Sequence, residues 1–349
     1  MPMDTNQFVG VCNCDWLTIF GYAHEPVATR NGYECDRKAY GTRVFRYIDD
    51  VFYYGAHIAT IVSVPATPIL PPAACQIKIS NEILYTADAT ERVTHLVSAF
   101  DIEVKSVSRA DVCVDFQCFK NRLAPAQFIA DVFKGVFVCA SRQHFASQGQ
   151  MDRTISYQYL RLGSRSSAVV AYLYDKSQEL EDVKNKPWIR DAWRAAGFRE
   201  DRHTWRLEFS VLDTDLKLST TDGEFVEFKN WRAFFDADFL RTAIALLYSK
   251  YWQFRTPTAD SNKSRWPRVA LIDVDGLVVR RVSRGTVGES SRSDRILIKK
   301  LASLPSSLRH CSAEDVDAIE HVITRVADDR DLQAYAREHY SRGALLRFK

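Results

Sequence analysis

The sequence predicts an α+β fold: a large, curved, mainly antiparallel sheet with helices packed on it, and a small helical region towards the C-terminal end. Three observations carry this. The first 90 residues hold β-branched and aromatic runs broken by turn residues. Two strand-like runs flank Gly163-Ser-Arg-Ser-Ser167, the composition of a hairpin connection. Amphipathic helical stretches fall between strands without alternating with them one for one, which argues against a parallel α/β sheet.

In chain order, strands are expected over residues 43–48, 51–54, 58–64 and 76–79, separated by Asp49-Asp50, Gly55 and the cluster Pro65, Pro68, Pro71 and Pro72. Val93, Leu96, Val97 and Phe100 then recur at helical spacing after Asp88 or Thr90 as the cap. Residues 108–116 alternate, so that Arg109, Asp111, Cys113 and Asp115 share one face of a strand and Val112, Val114 and Phe116 the other. Pro125 opens a helix with Phe128, Ile129, Val132 and Phe133, ended by Gly135. A hairpin of residues 155–162 and 168–176 follows, then a strand over 205–212, a helix over 239–252, a strand over 269–282 and a terminal helix over 312–326.

The length of 349 residues allows one large or two modest domains, and 46% hydrophobic with 26% charged residues excludes disordered and fibrous classes. Prolines interrupt the most apolar stretch, residues 58–75, so no transmembrane span is expected. No signal peptide is evident, and the eight cysteines lack paired CxxC spacing; reduced thiols in a cytoplasm follow as the expectation. Cys12-x-Cys14 is a two-ligand stub better explained by strand burial. The net charge of +3 does not announce a nucleic-acid partner. Local charge says more: residues 153–174 carry Arg153, Arg161 and Arg165 without an acid. Residues 276–300 carry seven cations, among them Arg280, Arg281 and Arg284, against Glu289 and Asp294. Such runs are solvated faces or phosphate-binding strips.

Three strand segments converge on one chemistry. Asp111 and Asp115 on the first, Tyr174 with Tyr172 and Lys176 on the second, and Arg206, Glu208 and Ser210 on the third could gather a hard divalent ion beside a tyrosine. Phenol attack on a phosphodiester stores the bond as a phosphotyrosine link. Each piece also has a plain structural role open to it, in packing or strand pairing.

Asp15-Trp-Leu-Thr18, Ser108-Arg-Ala-Asp-Val-Cys-Val-Asp115, Leu162-Gly-Ser-Arg-Ser-Ser167 with Tyr172-Leu-Tyr-Asp-Lys176, and Trp205-Arg-Leu-Glu-Phe209, in this order, resemble the Rep_trans-type replication initiation proteins. These are rolling-circle initiators of plasmids and filamentous phages, related to conjugative relaxases. The resemblance covers residues 12–280, expected to form the nicking and DNA-binding domain, with 281–349 as a basic loop and C-terminal helical region. It implies a metal-dependent, site-specific nick in one strand of origin DNA, a 5′-phosphotyrosine link and a 3′-OH primer. Tyr174 matches the nucleophile, Asp111 and Glu208 the metal-binding acids with Asp115 a weaker third, and Gly163, Ser164 and Arg165 the phosphate-holding turn. Lys176 is expected to favour the phenolate or the phosphate, and Arg206 to contact DNA. Tyr172 stands where many members have Arg, so either tyrosine is a candidate nucleophile. Implied partners are Mg²⁺ or Mn²⁺, double-stranded origin DNA, single-stranded DNA, a host helicase and a second copy in a homodimer, in a bacterial cytoplasm without a membrane. The alternatives are a relaxase of a mobile element and a non-catalytic origin-binding regulator. No two of the eight histidines are separated by a single residue, which disfavours the paired-histidine class of initiator.

Overall fold

The computed structural model describes residues 8–281, apart from residues 26, 140–144, 152–154, 165, 183–185 and 221. In chain order its elements begin with β1 (Gly10–Ala23), β2 (Tyr33–Arg37), β3 (Phe45–Tyr53), β4 (Ala56–Pro65) and β5 (Ala74–Ile79). Next come α1 (Asn81–Leu84), α2 (Ala89–Ala99), β6 (Ile102–Phe116), α3 (Pro125–Phe133), β7 (Val138–Cys139), β8 (Phe145–Met151) and β9 (Ile155–Leu162). Then follow β10 (Val169–Asp175), α4 (Lys176–Asp182), α5 (Pro187–Ala195), β11 (Trp205–Val211), β12 (Lys217–Ser219), β13 (Phe225–Glu227), α6 (Ala237–Tyr251), β14 (Phe254–Arg255) and β15 (Leu277–Val279).

One 11-stranded sheet dominates, in the order β2-β3-β4-β5-β1-β6-β11-β10-β9-β8, with β15 paired to β1. Every pair in it is antiparallel except β15 on β1, so the expected α+β class holds. The sheet has two unlike faces because its strands alternate. On one, Leu17, Ile19, Val112, Val114, Leu207, Phe209, Ala171 and Leu173 share an apolar core with Leu240, Ile244 and Leu247 of α6 and Leu96 of α2. The other carries the polar residues of the same strands, and β6 and β11 are in register there: Asp111 faces Ser210, Cys113 faces Glu208 and Asp115 faces Arg206.

Several expectations are corrected. β3 runs straight through Asp49-Asp50, because Arg37 meets the buried Asp49 carboxylate with two hydrogen bonds, at 2.8 and 3.2 Å, and Lys38 and Thr60 meet Asp50. The strand expected to Lys176 stops at Asp175, whose Oδ1 accepts from the Gln178 backbone N–H and starts α4. The strand expected over 269–282 shrinks to β15, since the Leu271 N–H is taken by the Tyr248 hydroxyl and the chain turns at Asp273 to Gly276. β1 is illegible in the sequence because Asp15 bulges out of it and because its outward positions Trp16, Phe20 and Tyr22 are as apolar as the buried Leu17 and Ile19, so no polar–apolar contrast marks the alternation. Cys12 and Cys14 are buried on its apolar side, where burial pushes the Cys12 thiol up to about 12. The terminal helix over 312–326 and nearly all of the 281–349 region lie outside the described residues. Among the described residues no helix is long and apolar enough to cross a membrane.

At the Phe20/Gly21 register shift, Gly21 is a sensitive position, because a Cβ there would sit 2.6 Å from the Glu103 carbonyl oxygen of β6. Gly21→Ala is expected to cost ~1–3 kcal/mol by overpacking. Urea denaturation checks this, and a change under about 0.5 kcal/mol, the range of a neutral surface substitution, would mean that the β1–β6 contact yields.

Candidate active site

The polar face of β6, β11 and β10 is organised around Arg206, which is fully buried. Its Nε and one Nη hold Asp115 at 2.6 and 2.8 Å, and its second Nη lies 2.5 Å from Asp15. The Tyr85 hydroxyl, just past α1, accepts from Arg206 at 2.9 Å and donates to Asp15 at 2.8 Å. Trp193 of α5 donates to the second Asp115 oxygen at 2.7 Å. Asp15 occupies the β1 bulge between Cys14 and Trp16. Burial alone would raise its pKa, yet Arg206, then Lys176 and Lys186, hold it well below the usual carboxylate range.

Next to this network, Tyr174 donates from its hydroxyl to Glu208 at 2.9 Å. Lys176, nearly inaccessible at the start of α4, stands 3.5 Å from the same phenol oxygen and also bonds Glu179. Burial and the Glu208 charge raise Tyr174 well above the ordinary tyrosine range, with Arg206 opposing, so the group rests as a phenol. Glu208 is pushed up to about 8 by burial and by the negative charge of Asp111. Asp111 is raised by its own burial, against which the Arg109 guanidinium works through hydrogen bonds of 3.0 and 2.6 Å. With its titration raised to about 8, Glu208 is an ionised carboxylate mainly above that pH, and in that form, already accepting the phenol's hydrogen bond, it can receive the phenol's proton.

The expected residues fall into distinct settings. Asp111, Glu208, Tyr174 and Lys176 converge. Asp115 stands apart from them in the Arg206 ion pair, its oxygens on Arg206 and Trp193, and Asp111 in turn has both its oxygens on Arg109. Arg206 is likewise unsuited to touching DNA, since its whole guanidinium is enclosed by protein. Tyr172 lies opposite Glu208 in the β10–β11 register, with its ring 6.0 Å from Tyr159, but the Glu208 bond goes to Tyr174. Gly163 has φ +96, the left-handed turn conformation. The next N–H is already spent, because Ser164 donates to the Ser167 hydroxyl at 3.0 Å. Arg281 donates to the carbonyls of Phe234 and Phe235 beneath the sheet's flank rather than standing free in a basic loop, while Arg280 is exposed. Arg165 and Arg284 lie outside the described residues. His203 bonds Asp175 at 2.7 Å.

Sequence reasoning passes over Tyr85, Arg109, Lys186 and Glu179 as site residues. Arg109 is legible two residues before Asp111 on one strand face; Tyr85 and Lys186 reach the site only through chain reversal. Among the described residues no cluster of three or more His, Cys, Asp or Glu is formed. Asp111 and Glu208 are two hard oxygen donors on adjacent strands, both raised by burial, a cost that a divalent cation would relieve. Mg²⁺ needs only one or two protein carboxylates when a phosphate and waters complete its shell, so this pair suits it in number and charge, with Arg109 having to yield one of the two Asp111 oxygens it now holds.

Among solved structures, the chain is similar to a rolling circle replication initiator protein from Geobacillus stearothermophilus, at 15% identity and a TM-score of 0.43, covering 74% of this chain and 92% of that one. No family model matches the sequence, and no curated protein matches it.

Two outcomes follow from the geometry. Arg206→Met leaves Asp115 and Asp15 as buried carboxylates without their cation, and is expected to cost ~3–5 kcal/mol in urea melts, with Arg206→Lys recovering little because a single ammonium cannot span both acids. A loss below about 1 kcal/mol, the range of exposed ion pairs, would refute the buried network. Glu208, raised from 4.5 to about 8 in the fold, favours the folded state fully below pH 4.5, and that advantage is lost as the pH rises through 8. Glu208→Gln should therefore flatten the stability profile between these limits by ~1–3 kcal/mol, since each pH step of one between them is worth about 1.4 kcal/mol before solvent screening. Parallel profiles for the two proteins would show that Glu208 titrates normally.

Proposed function

We propose that this chain initiates rolling-circle DNA replication as a metal-dependent, site-specific nicking and strand-transfer enzyme, with Tyr174 as its nucleophile. The observation that carries the reading is the Tyr174 hydroxyl held 2.9 Å from Glu208 and 3.5 Å from Lys176, on a sheet face that also presents Asp111. A bare nucleophile would not need this company. A phenol whose pKa is raised by burial needs a base at hand, and Glu208 is that base.

As the phenol proton passes to Glu208 Oε2, the phenolic oxygen forms a bond to phosphorus. The bond from phosphorus to the 3′ oxygen breaks, and that oxygen leaves as a hydroxyl after taking up a proton. The products are a 5′-phosphotyrosine link and a free 3′-OH. Lys176 places positive charge beside the phenol oxygen, shared with Glu179. Asp111 and Glu208, through its other oxygen, would hold Mg²⁺ or Mn²⁺, which when bound supplies neutralisation of the phosphate charge. Arg109 orients Asp111 through two hydrogen bonds and favours its charged form against the burial that raises it. Gly163 shapes the turn after β9, and Arg161, opposite Tyr172 on β9, offers a guanidinium on the same face as the phenol. Reversal of the same attack, with a 3′-OH displacing Tyr174, rejoins the strand. Origin duplex and single-stranded DNA, a host helicase, a homodimeric partner and a bacterial cytoplasm complete the proposal.

The test is incubation with supercoiled DNA carrying the cognate origin and Mg²⁺ or Mn²⁺. The wild type should give open circles with protein on the 5′ end. Tyr174→Phe should nick at least 1,000-fold more slowly, a loss of about 4 kcal/mol of barrier lowering, while binding origin DNA as before. Loss of nicking in Tyr172→Phe with retention in Tyr174→Phe would move the nucleophile to Tyr172, and no nicking by the wild type would reject the activity.

A further inference from the structure

The polar face does not end at Asp111. The β1–β6 register carries it on through Trp16, Thr18, Phe20 and Tyr22 of β1, which lie opposite Asp111, Arg109, Ser106 and Glu103. All four are half-exposed, whereas the intervening Leu17, Ile19 and Gly21 are buried on the other side. A half-exposed strand face of Trp, Phe and Tyr is costly to leave in water and needs a cause. The cations around it are specific. Lys78 Nζ sits 3.6 Å from the Trp16 ring centroid and the Arg109 guanidinium 4.7 Å, and Lys105 Nζ lies 5.2 Å from Tyr22. Phe20 and Tyr22 meet edge to face at 5.7 Å, which leaves ring surface directed outwards. Glu103 pairs with Lys105 and Asp111 with Arg109 along the same strip.

We infer that this strip of β1 is a base-stacking surface for single-stranded DNA, continuous with the Tyr174 site. Phe20 and Tyr22 two residues apart, ~6.6 Å along β1, with Trp16 further along and ammonium and guanidinium groups at Trp16 and Tyr22, match what an unpaired strand presents: flat apolar bases on a chain of phosphates. A duplex hides its base faces and cannot use the rings. Trp16 fixes Lys78 and Arg109 at the end nearest Asp111, where a phosphate approaching the site would pass; Phe20 and Tyr22 supply the stacking further along. The inference rests on the nicking reading for the choice of DNA over RNA, but the stacking surface itself stands on the rings, the cations and their register.

The test uses the full chain in EDTA, so that no cleavage enters, and measures anisotropy of a labelled oligo(dT), an abasic strand of equal length and a duplex. Phe20→Ala and Tyr22→Ala are each expected to weaken oligo(dT) binding about tenfold, with little change for the abasic strand or the duplex. Phe20→Tyr and Tyr22→Phe should bind as the wild type does. If an alanine variant fails to fold, Phe20→Leu and Tyr22→Leu, which keep apolar bulk without an aromatic face, take its place with the same expectation. Unchanged oligo(dT) affinity in the folded variants, or equal losses on all three nucleic acids, would overturn the inference. Oligo(dA) and oligo(rA) binding equally tightly would keep the surface and remove the preference for DNA. Failure here leaves the nicking assay untouched, and a wild type that does not nick leaves this binding test standing.

Discussion

The site depends on one buried guanidinium. Arg206 has no exposed surface, and a cation in that position is tolerable only when its partners are charged, close and themselves held in place. Here they are Asp115 on β6, Asp15 in the bulge of β1 and the Tyr85 hydroxyl after α1, with Trp193 of α5 closing the outer side of Asp115. Five segments far apart in the chain thus meet at one group. Slipping β11 by one residue would turn Arg206 into the apolar face against α6 and leave two buried carboxylates unpaired, so the network also fixes the sheet register. Glu208 and Tyr174 follow from it, being two residues along β11 and directly across on β10.

The register then sorts the acids by environment. Asp115 has both oxygens on Arg206, and Asp15 meets the same guanidinium through Oδ1. Asp111 keeps one cation, Arg109, which partly offsets its burial. Glu208 has the phenol as its hydrogen-bond partner and Asp111 as a repelling neighbour, and it is the carboxyl pushed to about 8. Acids of similar intrinsic strength on two adjacent strands thereby meet different partners: a guanidinium for Asp115 and for Asp111, a phenol for Glu208. Environment, not residue type, distinguishes them.

The same face explains the other half of the sheet. Strand alternation places Trp16, Phe20 and Tyr22 outwards because Leu17 and Ile19 must face the core, and the β1 and β6 bulges keep that phase despite the shifts in pairing. A polar end holding the phenol and an aromatic end bearing cations therefore share one surface without any loop to join them. The rigidity of a long two-stranded contact between β1 and β6 supports both.

Much of this is written locally. The alternation of residues 108–116 determines which side Asp111 and Asp115 occupy, because side-chain period in a strand is a local property. The hairpin around residues 163–167 and the helices at Pro125 and residues 239–252 are equally legible from turn residues and apolar spacing. What tertiary structure decides is partnership. Nothing near Arg206 in the chain says that it is enclosed by Asp15 and Asp115, so in the sequence it reads as a DNA contact, and Asp115 reads as a metal donor although both its oxygens are engaged in the fold. Asp49-Asp50 reads as a break because the sequence cannot show Arg37 waiting across the sheet. β1, the central strand, is hidden because aromatic side chains stand on its outward face and the Asp15 bulge interrupts it. Charge acquires its meaning from neighbours brought in by folding, through burial and distances of a few ångströms, and those are quantities a linear sequence does not contain.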